Sequence, residues 1–289
     1  IDDLEMGVTH IMRGDEFISS TPKFLSIYDA LGIPYPTFVS LPPILNDEKT
    51  KKLGKRDGAK DILSYKEEGY LPEAIINFLA LIGWNPGTDQ ELFSKEELIA
   101  AFEIDQIQKS GGSFNEEKLL WMNREYLQKF SQNEFFAYTK AALPKRILTS
   151  NEYNDEILQR LLPVIQERAH TQLEVTLAFE AGEYDFAFFT PNPPKEMLMW
   201  KNDSLASNAA PRLQKAIDLL ANASFESPEE IKNILWPYAE EVGKGELLWP
   251  LRVALTGLEK SPDPFIASYI VGKEPTLERI KSACAKISA

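Results

Sequence analysis

The sequence has very little of the side-chain chemistry that builds disulfide frameworks or metal sites. Its 289 residues include 1 cysteine, Cys284, and 2 histidines, His10 and His170. A lone cysteine excludes an intramolecular disulfide, and so few ligands cannot close a zinc site without added carboxylates. We therefore expect no metal site built from the protein alone, and the near absence of cysteine suits a cytoplasmic protein.

Long apolar runs and an excess of positive charge are also missing. No stretch approaches the ~18 apolar residues of a membrane span, so we expect no membrane contact. With 31 basic and 44 acidic residues the net charge is −13, which argues against indiscriminate nucleic-acid binding but allows one basic face. The chain begins with Ile1, without a signal-peptide pattern, and we expect that it starts inside a longer gene product.

The first 60 residues have the pattern expected at the end of an α/β domain. Residues 6–13 and 37–45 are strand-like. Between them, Thr21 is predicted to cap a helix that has Pro22 at its first position and Gly32 just after its end. A strand, a helix and a strand in this order favour a Rossmann-like arrangement.

Helical patterns dominate the rest of the sequence, so the predicted fold class is mostly α. Capping-box patterns stand at Ser94–Glu97 and Ser227–Glu230, and Asn115 is predicted to cap a helix. Pro237 is expected to kink or end a helix after Trp236. The predicted divisions are the end of an α/β domain at 1–60, a helical region at 61–130, and a helical domain at 131–289 with a possible subdivision near 190–195.

A basic loop follows the second strand-like stretch. By itself, a cluster of this kind is most often a solvated turn, but α/β folds place ligand loops after their strands. The segment Lys52-Leu53-Gly54-Lys55-Arg56 resembles the KMSKS loop of class I aminoacyl-tRNA synthetases, which is close to K-L-S-K-R in the glutamate enzymes. Gly54 replaces the usual serine. The resemblance implies that all five residues bind ATP, with Lys55 as the main catalytic lysine and Lys52 as its helper.

A second segment resembles the same family. Met6 to Glu16, followed by Thr21-Pro22-Lys23, is similar to the glutamyl-tRNA synthetase pattern M-G-x-T-H-x-x-R-G-x-[DE]. The resemblance implies that Arg13 binds the glutamate substrate, and a guanidinium fork suits a carboxylate. From the residues alone, a salt bridge from Arg13 to Asp2, Asp3 or Glu16 is the favoured interpretation.

Further matches continue in the order of the family, at 68–74, 77–84, 117–123, 249–257 and 272–280. Most of their apolar residues have a plain core interpretation, including Leu79 and Trp121. Arg252 is predicted just inside a helix start, where the macrodipole disfavours a cation, so a phosphate contact is one explanation. Weak tRNA contacts are assigned to Arg252, Lys118 and Arg124.

The resemblance implies a glutamate–tRNA ligase that uses ATP, Mg²⁺, L-glutamate and tRNA(Glu), in which 1–60 is the end of the catalytic domain, 61–130 is a stem-contact region and 131–289 is an anticodon-binding domain. The oligomeric state is not readable from the sequence, and a monomer is favoured. Class I synthetases also need an upstream H-I-G-H-like segment, and neither His10 nor His170 stands in such a context. We therefore expect a C-terminal fragment that lacks the first half of the catalytic domain and is inactive alone.

Two alternatives remain open at this point. A glutaminyl-tRNA synthetase would have β-barrel anticodon domains, which the helical caps after residue 131 argue against. A non-catalytic tRNA-binding or scaffold protein of synthetase ancestry fits the missing upstream half. The sequence leaves open whether tRNA(Gln) is also charged and which residues read the anticodon.

Overall fold

A computed structural model describes residues 1–54, 59–200 and 206–288 of the chain. These residues form two units, Ile1–Lys129 and Phe130–Ala289. Helix predominates in both, as predicted from the sequence. Each unit is described by itself below.

The first unit begins with a small parallel sheet and continues as helices. Its elements are α1 (Asp2–Glu5), β1 (His10–Gly14), α2 (Thr21–Leu31), β2 (Thr37–Leu41), α3 (Ile62–Glu67), α4 (Pro72–Gly83), α5 (Lys95–Ala101) and α6 (Glu116–Gln128), with short 3₁₀ turns at Asp15–Ser20 and Ile104–Gln106. Strands β1 and β2 pair in parallel with His10 opposite Thr37 and Gly14 opposite Leu41. The expected strand–helix–strand order is therefore present.

Local details around α2 differ from the sequence-based prediction. The first strand begins at His10, four residues later than predicted, because the backbone N–H groups of residues 6–8 donate back to carbonyls of α1. Thr21 is the first residue of α2 rather than its N-cap, and its hydroxyl donates to the carbonyl of Phe17 at 3.0 Å. Gly32 ends the helix as predicted, in the left-handed conformation with φ of 67°.

The core of the first unit lies among its helices and not on its sheet. Along the described chain the first buried residue is Tyr65, and the main cluster of buried side chains is Tyr65, Tyr70, Phe78, Ile82, Leu119 and Met122. On the sheet and its crossover helix, Met12 is 42% exposed and Ile27 is 56% exposed. Parallel sheets are normally covered on both faces, so these strands have no apolar core of their own here.

Predicted caps fix the helices around that core. Ser94 and Glu97 form a complete capping box at the start of α5. Asn115 accepts a hydrogen bond from the backbone N–H of Lys118 at 2.6 Å and thereby caps α6. The fixed start of α6 matters below, because the base of the basic loop is bound to it.

The second unit is helical throughout its described residues, with no β-strand in 130–200 or 206–288. Its elements are α7 (Gln132–Ala141), α8 (Lys145–Leu148), α9 (Asp155–Arg168), α10 (Gln172–Glu180), α11 (Ala206–Leu220), α12 (Pro228–Val242), α13 (Lys244–Thr256), α14 (Pro264–Val271) and α15 (Lys273–Ser288), with 3₁₀ turns at Asp185–Ala187 and Lys195–Leu198. Helices α11 and α15 pack closely against each other.

Two predictions for α12 need correction. Pro237 does not end the helix after Trp236, since α12 continues to Val242. Proline removes one backbone donor, and burial of Leu235 and Ala239 on either side of it offsets that loss. Ser227 caps the helix, but Glu230 does not complete a capping box, because its carboxylate accepts from the Ser224 hydroxyl instead.

A buried cation ties three segments of the second unit together. Arg279 is 5% exposed and donates to the carbonyls of Phe186 and Leu255, each at 2.8 Å. Burial lowers the pKa of Arg279 to about 10, so the guanidinium stays charged at neutral pH. Since Leu255 lies in the last turn of α13, the cation also meets the negative end of that helix dipole.

Substituting Arg279→Leu is expected to lower the free energy of unfolding of the chain by about 3 kcal/mol, because two buried carbonyls lose their donors. Chemical denaturation followed by circular dichroism measures this change. Arg168→Leu is the matched control, since Arg168 is exposed in the last turn of α9. Equal stability of the two variants would contradict the role assigned to Arg279.

Candidate functional site

The candidate site lies at the carboxyl edge of the parallel strand pair. Arg13 is the fourth residue of β1 and stands opposite Ser40 of β2. Because the strands are parallel, the segments that follow them leave the same edge of the sheet. Those segments are the 3₁₀ turn at Asp15–Ser20 and the chain that leads into the basic loop. The edge after the strands is where α/β sheets bind ligands.

Arg13 is held by aromatic rings. Its guanidinium carbon lies 4.8 Å from the ring centre of Phe24, 5.1 Å from that of Phe38 and 5.5 Å from that of Phe17. One nitrogen donates to the Thr21 hydroxyl at 3.4 Å. Ring faces attract a cation without neutralising it, so the group keeps its full charge.

Among the described residues, Arg13 does not form the salt bridge to Asp2, Asp3 or Glu16 that was the alternative interpretation. Within residues 1–54, 59–200 and 206–288, the guanidinium forms no ion pair with a carboxylate. Asp3 instead accepts from the Tyr28 hydroxyl at 2.7 Å, and Glu16 pairs with Lys52. The charge of Arg13 therefore remains available to a negatively charged group, while its role in glutamate binding stays a prediction.

The base of the basic loop is a hairpin. The Leu53 N–H donates to the Ile44 carbonyl at 2.8 Å, and the Asn46 N–H donates to the Lys51 carbonyl at 3.0 Å. The Asn46 side chain also accepts from the Thr50 N–H at 2.9 Å. These bonds define where the described part of the loop leaves the fold.

Lys52 points back toward the end of β1. Its ammonium nitrogen lies 3.5 Å from a carboxylate oxygen of Glu16, and the two side chains are 63% and 53% exposed. The pKa of Glu16 is lowered first by a hydrogen bond from the backbone N–H of Glu16 to its own carboxylate, and then by the charge of Lys52. An ion pair this exposed is weak, so a phosphate could replace Glu16 as the partner of Lys52.

The structure describes only some of the other residues of the basic loop. Leu53 and Gly54 are half-buried, and Leu53 lines a cavity of about 300 Å³ together with Asn46 and Tyr65. Lys55 and Arg56 lie outside the described residues. The ATP contacts predicted for all of these residues remain predictions.

The weak tRNA candidates on α6 lie in different surroundings. The ammonium group of Lys118 pairs with the carboxylate of Glu91. Arg124 is half-buried in the same helix. On this unit Leu79 and Trp121, which were expected to pack in the core, are 42% and 38% exposed, because the cluster packed between α4 and α6 uses the opposite faces of those helices.

The reason given for Arg252 is wrong, although its side chain is distinctive. Arg252 lies well inside α13 and not near its start, so the helix macrodipole does not disfavour it. Its guanidinium carbon lies 4.9 Å from the ring centre of Trp249, and its Nε is buried without a hydrogen-bond partner.

The aromatic side chains of Phe186 and Phe188 are core residues of the same unit, with exposures of 1% and 0%.

Sequence reasoning missed Lys60 as an individual residue. Its ammonium nitrogen lies 3.0 Å from Glu68 and 3.1 Å from Glu116. Glu116 is far away in sequence, so no local pattern could have revealed this pairing.

Among the described residues, no three His, Cys, Asp or Glu residues come close enough to hold a metal ion. None of the described helices has the length and apolar character needed to cross a membrane.

Comparison with known proteins places this geometry. Residues 1–121 match the family model for the catalytic domain of class I tRNA synthetases (E and Q), and residues 124–284 match an anticodon binding domain. The chain belongs to the glutamyl-tRNA synthetase family. The predicted family, and the order of its two parts along the chain, are thereby confirmed.

Curated relatives of this synthetase family are glutamate–tRNA ligases of greater length. The ligase of Clostridium novyi (strain NT) is 36% identical over 296 aligned positions, which cover 99% of this chain and 58% of that protein. The ligase of Thermodesulfovibrio yellowstonii is 36% identical, covering 97% of this chain and 59% of that protein. The chain thus spans somewhat more than half the length of these relatives.

Solved synthetase structures share the fold. A glutamate tRNA ligase from Elizabethkingia meningosepticum, solved in complex with its amino acid, superposes with a TM-score of 0.80 at 30% identity, covering 99% of this chain and 59% of that one. The glutamate-tRNA synthetase of Elizabethkingia anophelis gives a TM-score of 0.78 at 31% identity. The β-barrel expected for the glutaminyl alternative is absent from the described residues of the second unit.

Substituting Lys52→Met is expected to raise the pKa of Glu16 toward its ordinary value of 4.5 while leaving it lower, because the backbone hydrogen bond remains. The attraction between Glu16 and Lys52 is complete at pH values above the ordinary pKa of a glutamate carboxyl group. It is lost as the pH falls through the lowered pKa of Glu16, because the carboxylate is then protonated. NMR titration of the glutamate carboxyl carbons measures the shift. Lys23→Met, at an exposed position of α2, is the control, and an unchanged Glu16 titration in Lys52→Met would refute the pairing.

Proposed function

We propose that this chain is the part of a glutamate–tRNA ligase that carries the phosphate-binding loop and binds the tRNA anticodon. The parent reaction is the ATP-dependent attachment of L-glutamate to tRNA(Glu) through a glutamyl-adenylate. One observation carries the proposal: Arg13 and the base of the basic loop with Lys52 lie at the same carboxyl edge of the strand pair. A carboxylate substrate and a triphosphate would meet there.

The loop supplies positive charge for the first step. The glutamate carboxylate attacks the α-phosphate of ATP and pyrophosphate leaves, so negative charge grows on the leaving phosphates. Lys55 is assigned to these phosphates, with Lys52 as its helper and with Arg56, Leu53 and Gly54 completing the ATP contacts. Lysine suits this role because its ammonium group is a compact point charge.

The ion pair between Lys52 and Glu16 supports this role. Glu16 is an exposed anion, and its carboxylate is the partner of the Lys52 ammonium group. When a triphosphate arrives, Lys52 exchanges one carboxylate for a more highly charged partner. Mg²⁺ would enter with ATP, held mainly by phosphate oxygens and water as is usual for this ion.

The amino acid is assigned to Arg13. Three rings pack around its guanidinium group and restrict its orientation. A planar fork held in this way pairs well with a carboxylate in two parallel hydrogen bonds. Of the two carboxylates of glutamate, the one that does not attack ATP is available for this contact.

The second unit is assigned to the tRNA. Arg252 is the main candidate for an RNA contact, and its stacking on Trp249 gives it a preset orientation. Lys118 and Arg124 on α6 are weaker candidates in the first unit. Phosphate contacts would set the register of the tRNA, while contacts to base edges would read the anticodon.

The chain would need further residues for catalysis. No residue of the described sheet or of α2 is buried, and Phe17 and Phe24 are 45% and 39% exposed. An upstream half-domain packed on this surface would cover these side chains and complete the nucleotide pocket. We propose that the parent enzyme acts in the cytoplasm as a monomer, and that this chain alone is inactive.

The isolated chain is expected to give no glutamate-dependent pyrophosphate exchange, whereas a chain extended upstream of Ile1 by whatever residues its gene encodes is expected to be active. In the extended chain, Lys55→Ala should lower kcat about 100-fold, since it removes one group that stabilises developing charge. Isotope exchange between pyrophosphate and ATP measures both.

Lys66→Ala is the control for that experiment, because Lys66 is an exposed lysine of α3. Robust exchange by the isolated chain, or an extended chain in which Lys55→Ala exchanges as fast as the control, would contradict the assignment.

Filter binding of the chain to tRNA(Glu) tests the role of the second unit. A single base change in the anticodon is expected to weaken binding about tenfold, the usual cost of a wrong base at a contacted position. Arg252→Ala is expected to lower the slope of log affinity against log salt by about 1 if the side chain contacts a phosphate.

Arg168→Ala serves as the control for Arg252→Ala. Equal affinity for all anticodon variants would remove the anticodon-reading role, and an unchanged salt slope would remove the phosphate contact of Arg252.

A further inference from the structure

A single short segment, residues 111–116, holds both ends of the basic loop. It connects the 3₁₀ turn at Ile104–Gln106 to α6 and includes the cap of that helix. The two ends are bound in different ways, one through backbone hydrogen bonds and the other through charge.

The N-terminal end of the loop is bound through the backbone. The Leu45 N–H donates to the Gly112 carbonyl, and the Phe114 N–H donates to the Leu45 carbonyl, each at 2.9 Å. One residue after Phe114 and two residues after Leu45, the Asn115 amide donates to the Asp47 carboxylate at 3.0 Å. The strand-like stretch before the loop is thereby joined to the start of α6.

Close packing leaves little freedom at this junction. A Cβ on Gly111 would overlap the carbonyl oxygen of Pro43, and a Cβ on Gly112 would overlap the carbonyl oxygen of Ile82. Since these obstacles are backbone atoms, neither can move away as a flexible side chain does. Gly111 and Gly112 therefore let the segment 111–116 pass between the entry to the loop and the end of α4.

The C-terminal end of the loop is bound through Lys60. Its ammonium nitrogen lies 3.0 Å from Glu68, which follows α3, and 3.1 Å from Glu116, the first residue of α6. It also lies 5.4 Å from the ring centre of the buried Tyr65, whose hydroxyl donates to Glu116 at 3.4 Å. One cation thus joins two helices and a core aromatic ring.

The surroundings of Lys60 differ from those of Lys52. The Lys60 side chain is 36% exposed, against 63% for Lys52, and it has two carboxylate partners instead of one. Burial lowers the pKa of Lys60, but the hydrogen bonds and charges of Glu68 and Glu116 outweigh this and hold the pKa well above its ordinary value. A phosphate would have to displace two carboxylates to capture this group.

We propose that Lys60 is a positioning residue for the phosphate-binding loop, fixing the C-terminal end of the loop to the same segment that holds its N-terminal end. Lys60 does not contact the nucleotide. Its effect on the nucleotide is indirect, through the fixed position of the residue at which the loop returns to the fold. The catalytic part of this inference rests on the proposed function, whereas the anchoring part does not.

Limited proteolysis of the 289-residue chain tests the anchoring. With an arginine-specific protease, cleavage after Arg56 is expected to be about fivefold faster in Lys60→Gln than in the unsubstituted chain, because cleavage follows the population of the opened segment. Glu116→Gln should give a smaller acceleration, since Glu68 remains. Mass spectrometry resolves cleavage after Arg56 from cleavage elsewhere.

Two controls accompany that measurement. Lys60→Arg keeps the charge and is expected to restore slow cleavage after Arg56, while Lys66→Gln removes an exposed lysine from α3 and should change nothing. Lys60→Gln cleaved at the unsubstituted rate would overturn the proposal. So would equal acceleration after Arg124 in α6, because that pattern reports loss of the fold instead of release of the loop.

Kinetics of a chain extended upstream of Ile1 test the catalytic consequence. Lys60→Gln is expected to raise KM for ATP about fivefold with KM for glutamate unchanged, and Lys60→Arg to reverse the effect. Equal rises in both KM values would overturn the positioning role. An extended chain that consumes no ATP with glutamate would refute the proposed function, whereas the proteolysis result would still decide the anchoring.

Discussion

Parallel pairing of two short strands determines which charged groups of this chain come together. With His10 opposite Thr37 and Gly14 opposite Leu41, both strands end at one edge. Arg13 and the base of the basic loop therefore become neighbours. An antiparallel pairing would place the two strand ends at opposite edges. The ladder contributes little apolar burial, so its importance lies in this geometric constraint.

The packing of the first unit explains how such a small sheet keeps its place. Its core lies among α3, α4 and α6, and the chain after β2 is bound to the start of α6 through Leu45 and Gly112. The sheet thus has fixed ends although its faces are exposed. This arrangement suits a surface that other residues must cover.

The sequence allowed prediction of what depends on local patterns. The mostly helical fold, the caps at Ser94 and Asn115, and the family itself follow from neighbouring residues or motif strings. Pro237 was misread because a helix packed on both sides of a proline tolerates the lost hydrogen bond. The position of Arg252 within its helix was misjudged because helix starts are poorly defined by sequence.

Pairs that join distant parts of the chain could not be predicted in this way. The contact between Lys60 and Glu116 needs the fold that brings the loop to α6, and so do the bonds from Arg279 to Phe186 and Leu255. In the sequence, nothing distinguishes Lys60 or Arg279 from an ordinary solvated cation. Only burial and partner geometry distinguish them from solvated charges.

If this acidic chain binds polyanions as proposed, it has to control which of its cations can exchange their carboxylate partners for phosphate. Lys52 has one exposed partner and can transfer to a phosphate at little cost, because so exposed an ion pair is weak. Lys60 has two partners and less exposure, so it stays in place when the same phosphate arrives. Arg13 is held by rings, which orient it without using its charge. The net charge of −13 is therefore compatible with phosphate binding, since binding depends on the few cations whose partners can be replaced.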